Sequence, residues 1–276
     1  MLSVDDLLKF AKIKNIPLQK RRGILREYLQ TLILSYIQQT DFAAKIIFIG
    51  GTALRFFYGL ERFSEDLDFN YLGTLRKEDL EKLLNHIKKE FEKENIKMDF
   101  SIKKSLETYF HWKIYIQFPD VLQYYKCGGR KGHKLHSLEK LSIQLDFQNL
   151  GGRKYSISKK IISHFGKRFL FNTTNLEMFL AEKSNAALYR KPPRGRDFFD
   201  LMSLLLWNAK INLAYLRKRD ISVKSKNEYI SKIKNRIKKL NFTELTKQIA
   251  PFLLVREDIE IMQNFPDHIG DLLKRI

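Results

Sequence analysis

Residues Lys45 to Asn70 read KIIFIGGTALRFFYGLERFSEDLDFN, and the rest of the chain is best read outward from them. Ile46 to Ile49 form a short β-branched and aromatic run stopped by Gly50 and Gly51, the pattern of a buried strand ending in a tight turn. Thr52 is a helix-capping residue type, and Ala53, Leu54, Phe57 and Tyr58 follow on one helical face before Gly59 ends the pattern. Backbone amides at a glycine turn entering a helix point outward unpaired, which suits an anion such as a triphosphate. Further on, Asp66 and Asp68 are one position apart, so on a strand they share one side while Leu67 and Phe69 take the other. Two carboxylates held together repel unless a cation sits between them, and oxygen-only ligands suit magnesium. Gly-Gly and Asp-x-Asp are each frequent by chance. In this order and this strand context they jointly favour nucleotide chemistry.

Gly50-Gly51-Thr52-Ala53-Leu54, followed by Arg62-Phe63-Ser64-Glu65-Asp66-Leu67-Asp68-Phe69, resembles the first motif of the AbiEii-type nucleotidyltransferase toxins. That AbiE/MenT-like group is a branch of the polymerase-beta-like nucleotidyltransferase superfamily. The insert between the glycine pair and the first aspartate is longer than is usual in the superfamily and matches this branch. The resemblance implies an α+β fold, with a mixed-sheet nucleotidyltransferase core and flanking helices followed by an α-helical C-terminal domain. It implies a metal-dependent transferase in which Gly50, Gly51, Thr52, Arg62 and Ser64 hold the NTP, and Asp66 and Asp68 bind Mg2+. It also implies a toxin paired with a cognate antitoxin, with RNA, the tRNA 3′ end, as acceptor.

Composition is compatible with this. The chain has 276 residues, 44% of them apolar, enough for a full core. No stretch reaches the roughly 20 apolar residues of a membrane helix, and the N-terminus MLSVDDLLKF lacks a secretion pattern. The one cysteine, Cys127, excludes an internal disulfide framework and fits a reducing cytoplasm. A formal net charge of +20 attracts polyanions, and nucleic acid is the usual cytoplasmic one, although a generally lysine-rich proteome accounts for such a charge as well.

Around the motif, residues 1–41 read as N-terminal helices packing on the core, 42–172 as the nucleotidyltransferase core and 173–276 as a helical domain, with the active cleft between the last two. Lys77 to Lys93 is amphipathic at helical spacing. Thr108 to Phe118 alternates as a strand, and residues 126 to 140 form a basic, glycine-containing loop suited to phosphate but equally to solvent. On the strand Leu141 to Phe147, Ser142, Gln144 and Asp146 share one face. A third carboxylate on a neighbouring strand commonly completes two-metal phosphoryl transfer. The superfamily's third aspartate sits on such a strand, which assigns Asp146 to the metal site.

A boundary falls at about 150 to 175, beyond which the pattern is helical. Lys183 lies in an otherwise apolar helical stripe and either snorkels or faces a phosphate. Pro192 and Pro193 break that helix, and Asp197 and Asp200 cluster with Arg196 near the start of the next, as a local ion-pair network or a functional one. This block resembles the family's second conserved block, in which a lysine and an aspartate are needed for activity. Lys183 carries over as the lysine, and Asp197 and Asp200 both remain candidates for the aspartate. Arg217 to Lys239, with ten basic residues against two acids, reads as one helix offering lysines to an RNA backbone or simply to water. Competing acceptors are a protein hydroxyl or a small molecule such as an aminoglycoside, and a non-catalytic nucleic-acid-binding protein is the alternative from another class.

Overall fold

A computed structural model describes residues 2–105, 111–125, 139–149 and 156–275. The glycine loop with Cys127, Arg130, Lys131 and Lys134, and the boundary glycines Gly151 and Gly152, lie outside the described residues. The chain divides into two compact units, one of Met1–Gly59, Phe63–Lys154 and Lys159–Thr173, the other of Leu60–Arg62, Tyr155–Ser158 and Thr174–Ile276. Among the described residues no helix is long and apolar enough to cross a membrane.

The first unit runs α1 (Val4–Ile13), α2 (Arg21–Gln38), β1 (Ile46–Ile49), α3 (Gly50–Tyr58), β2 (Leu67–Tyr71), α4 (Lys77–Lys93), β3 (Asp99–Lys104), β4 (His111–Phe118), α5 (Val121–Tyr124), β5 (Leu141–Asn149), β6 (Ser158–His164) and β7 (Lys167–Thr173). A five-stranded sheet has the order β1-β2-β5-β4-β3, antiparallel throughout except for the parallel pair β2–β5, while β6 and β7 form a separate ribbon. Alternation assigns the faces. Phe48, Phe69, Phe147, Ile114 and Phe118 point to one side and are buried, under Phe91 of α4 and Phe42, with Phe69 and Phe147 stacked at 4.9 Å. The other side carries Asp68, Asp146, Gln144, Lys113 and Tyr115, none of them buried.

α3 is fastened from outside the sheet. Arg55 Nε stands 3.4 Å from the carboxylate of buried Glu27 on α2, and His164 Nδ1 is 3.4 Å from the same carboxylate, its ring stacked 4.5 Å from Phe56. Burial draws the His164 pKa down, with Glu27 opposing. The β6–β7 turn uses Phe165 and Gly166, both at positive φ (46° and 74°), the backbone of a type I′ hairpin. Phe165 is a poor residue for that region, and edge contacts to Phe10 and Tyr28 hold it there.

The second unit holds α6 (Leu176–Tyr189), α7 (Gly195–Leu206), α8 (Leu213–Lys218), α9 (Lys226–Ile237), α10 (Phe242–Ile249), α11 (Asp258–Gln263) and α12 (Phe265–Lys274). The stretch expected as one helix from Arg217 to Lys239 is two. Asp220 turns left-handed at φ 60°, and Ser225 caps α9 by accepting from the Glu228 amide. Leu60–Arg62 belong to this unit: Arg62 bridges Leu253, and the Leu254 amide donates to the Glu61 carbonyl at 2.9 Å.

Candidate functional site

β1 ends at Ile49, and α3 begins at the next residue, Gly50, with Ile49, not Thr52, in the capping position. Gly50 has φ +79°, a region glycine enters freely. A Cβ built on it would stand 2.0 Å from Asp68 Oδ2. The Asp68 carboxylate therefore occupies the space that a side chain at position 50 would fill, beside the first turn of α3, where helix amides and the helix dipole favour negative charge. Buried Thr52 does not cap α3 because its hydroxyl donates to the Asp66 carbonyl, tying the helix's first turn to the segment entering β2.

Asp66 lies just ahead of β2 and not within it. Gln30 of α2, itself buried, donates to the carbonyls of Ser64 and Glu65, each at 3.0 Å, and so fixes the loop carrying Ser64. Arg26, one turn earlier on α2, is 2.7 Å from Glu65. Burial lowers the Arg26 pKa, and the charges of Glu65 and Asp66 oppose that fall. Arg26 is thus a cation beside Glu65 and within electrostatic reach of Asp66 that the sequence alone does not reveal. It sits in a long apolar helical pattern, and nothing local ties position 26 to position 66.

The parallel register of β2 and β5 sets Asp68 directly beside Asp146. Adjacent strands stand about 4.8 Å apart, so the two carboxylates leave the same face as neighbours. Gln144, two residues before Asp146 on that face, donates from Nε2 to Asp146 Oδ2 at 2.8 Å. Among the described residues no three His, Cys, Asp or Glu side chains form a ready-made metal cage. Magnesium rarely uses one: it is commonly held by one or two carboxylates, waters and the substrate's phosphates. An all-oxygen pair with room made for it at Gly50 fits that mode.

The second unit contains its own charged cluster. Arg62 grips Asp200 through two bonds, Nε to Oδ1 at 2.6 Å and Nη2 to Oδ2 at 2.7 Å, and Lys183 Nζ lies 2.7 Å from Oδ2. Asp200 is wholly buried, which would raise its pKa, yet Arg62 and Lys183 overcome that and hold it low, at about 2. Asp197, also buried, pairs instead with Arg190 at 2.8 Å. Lys183 and Asp200 are brought together, Lys183 and Asp197 are not. Arg62, expected among the nucleotide ligands, has two of its guanidinium nitrogens on Asp200. Its partner lies 138 positions away, which no local pattern could reveal.

No protein of curated function matches the sequence significantly. Among solved structures, a Helicobacter pylori protein described as a candidate nucleotidyltransferase is 19% identical, with 92% of this chain and 96% of that one covered at a TM-score of 0.52. MenT4, a nucleotidyltransferase toxin of Mycobacterium tuberculosis, is 13% identical over 100% of this chain and 93% of its own, also at 0.52. At these identities the likeness is one of fold. The family model for the AbiEii nucleotidyl transferase toxin of type IV toxin–antitoxin systems matches residues 32–263. With a mixed sheet that carries paired aspartates beside a glycine-led helix, and a family match spanning most of its length, the chain belongs to the AbiEii nucleotidyltransferase toxin family.

Proposed function

We propose that this protein transfers a nucleoside monophosphate from an NTP to the 3′ end of an RNA, tRNA in the first instance, as the toxin of a pair with a cognate antitoxin in the cytoplasm. The observation that carries the reading is the parallel register of Asp68 and Asp146 next to Gly50. The amides of Gly50, Gly51 and Thr52 receive the β- and γ-phosphates at the start of α3. Asp66, Asp68 and Asp146 are the carboxylates that would hold Mg2+, which supplies charge neutralisation on the phosphates and a lower pKa for the attacking hydroxyl. Gln144 steadies Asp146, the carboxylate beside which the acceptor hydroxyl would be activated. The hydroxyl oxygen bonds to the α-phosphorus and its proton passes to solvent. The bond from the α-phosphorus to the bridging oxygen breaks, and pyrophosphate leaves. Lys183 and Asp200 act as a pair, the carboxylate holding the ammonium in one position, which favours Asp200 over Asp197 as the second block's aspartate. The charge of +20 suits a polyanionic acceptor.

The test is incubation of the purified protein with each α-phosphate-labelled NTP, Mg2+ and unfractionated tRNA, beside Asp68→Ala. Label in tRNA that disappears in the variant supports the reading. Label in protein or in a small molecule moves the acceptor, and equal RNA binding by both proteins with no label in anything ends the catalytic reading.

A further inference from the structure

We propose that the open face of β4 and β3, carrying Lys113, Lys103 and Tyr115, is the bed on which the acceptor RNA strand lies as its 3′ end approaches Asp146. The inference rests on the nucleotidyl-transfer reading and adds the acceptor's path to it. Cross-strand register draws one row across the sheet: Ile49 opposite Asp68, Asp68 beside Asp146, Asp146 opposite Lys113, Lys113 opposite Lys103. At about 4.8 Å per strand, Lys113 stands one strand and Lys103 two strands beyond Asp146. Side chains in register share a face, so both lysines rise on the side that carries the aspartates.

The row has a direction. Gly50, at the β1 end, begins the helix whose amides suit the triphosphate. In phosphoryl transfer the leaving and attacking oxygens stand roughly in line through phosphorus. With pyrophosphate leaving towards the β1 end, the attacking hydroxyl comes from the β4 and β3 end, where the charge of the row changes sign. Lys103 is exposed, and its Nζ lies 5.3 Å from the centre of the Tyr115 ring, a cation–π contact that keeps the ammonium over the face and not out past the edge strand. Tyr115 is opposite Gln144, the residue that orients Asp146. Asp99, at the far end of β3 on this face, has Lys88 4.0 Å away. A positive strip leading to a carboxylate pair fits a phosphodiester strand ending in a free hydroxyl. The rest of this face of β4 and β5 is polar, with Gln117, Ser142 and Gln148, and so offers little to an apolar partner.

The experiment compares the full-length wild type with the double variant Lys103→Ala/Lys113→Ala, with Tyr115→Leu alone and in the Lys103→Ala background, and with the charge-matched control Lys82→Ala/Lys89→Ala on exposed positions of α4. Unfractionated tRNA is the probe, with single-stranded DNA of matched length as competitor, and circular dichroism checks the fold. The lysine double variant should raise the KM for tRNA at least about tenfold, leave the KM for NTP within about twofold, and flatten the slope of log affinity against log salt by about 1.4, the release expected for two contacts to a single strand. Tyr115→Leu should weaken tRNA binding alone but add nothing once Lys103 is gone, because its effect passes through that ammonium. An equal loss in the α4 control, a rise in the KM for NTP in place of tRNA, or single-stranded DNA failing to compete for a strip that reads phosphodiesters would each overturn the assignment. If the wild type labels no RNA yet the lysine variants lose tRNA binding, the transfer reading falls and the strip stands. Labelling of tRNA with lysine variants unaffected does the reverse.

Discussion

Gly50 and the carboxylate of Asp68 compete for one volume: a Cβ at position 50 would meet Asp68 Oδ2 at 2.0 Å. Gly50→Ala therefore combines a strained left-handed backbone, costing about 1–2 kcal/mol, with displacement of a proposed metal ligand. Nucleotidyl transfer should fall at least about a hundredfold, a larger loss than a stability change of that size explains when the protein stays folded. Gly59→Ala separates the two effects. It shares the positive φ of 75° but has open space around it, so the melting temperature should drop while activity of the folded protein holds.

Asp68→Asn and Asp146→Asn should each abolish transfer yet leave the apo protein as stable as wild type or slightly more so. Two neighbouring carboxylates repel, and removing either charge relieves that repulsion in the metal-free protein. Thermal melts with and without Mg2+ and NTP read this. The wild type should gain stability from the additions and both variants should not. A variant that still gains would show that its carboxylate is not a ligand.

Asp200 couples the second unit to pH. Its carboxyl falls from an ordinary 3.8 to about 2, because Arg62 and Lys183 outweigh the burial that raises it. A depressed carboxylate pKa stabilises the fold above about 3.8, and that contribution, about 2 kcal/mol, is lost as pH falls towards 2. Asp200→Asn leaves the buried Arg62 and the partly buried Lys183 without their counter-charge and should cost about 3–5 kcal/mol by denaturant melts at pH 7. Lys183→Met keeps the two-bond Arg62 pair and should cost far less while still removing activity.

Asp258 has the opposite sign. Burial, then the charges of Glu61 and Glu257, push its carboxyl up to about 6, and the residue is 8% exposed. A raised carboxyl pKa means the folded state holds the proton longer, so stability is lost as pH rises from about 4 through 6. Asp258→Asn should then stabilise at pH 7.5 by something on the order of 1 kcal/mol, discounted for solvent screening, and change little at pH 4. Melts at the two pH values decide it. Equal shifts at both would mean a packing effect and not a charge.

These residues also mark how far sequence reading reaches. Strand β1, the glycine turn and β2 with Asp68 were legible because adjacent residues write them in a period of two with glycine punctuation, whereas Asp66, expected on that strand, precedes it. Asp146 could be named by its alternation, but its partnership with Asp68 depends on a parallel pairing 78 residues apart in sequence. Arg62 was legible only as part of a motif, and its actual partner Asp200 is set by tertiary packing. Thr52 looked like a cap because it is a capping type after two glycines. The alternative acceptor, the Asp66 carbonyl, exists only once β2 has folded against α3. Arg26 gave no signal, since one arginine in a long helix is ordinary until its neighbours are known.

Gln144 is where the sheet's own hydrogen bonding bears on chemistry. Its Nε2 donates to Asp146 Oδ2 at 2.8 Å, from the same strand and the same face, so the carboxylate is held by a neighbour on its own strand. Gln144→Leu keeps the bulk and the strand but removes the donor, leaving Asp146 to turn about its side-chain bonds. One hydrogen bond to a charged group contributes about 1.5–3 kcal/mol, so the cost to a ligand that must be oriented is about tenfold or more. That cost should appear as a higher Mg2+ concentration at half-maximal transfer and a lower kcat, with the KM for NTP near wild type once Mg2+ is saturating. Excess Mg2+ should recover part of the rate in Gln144→Leu and none in Asp146→Asn, because the first variant retains the ligand and loses only its orientation. If Gln144→Leu shifted the NTP KM at saturating Mg2+ and left the Mg2+ midpoint alone, Gln144 would be a contact to substrate and not a support for Asp146.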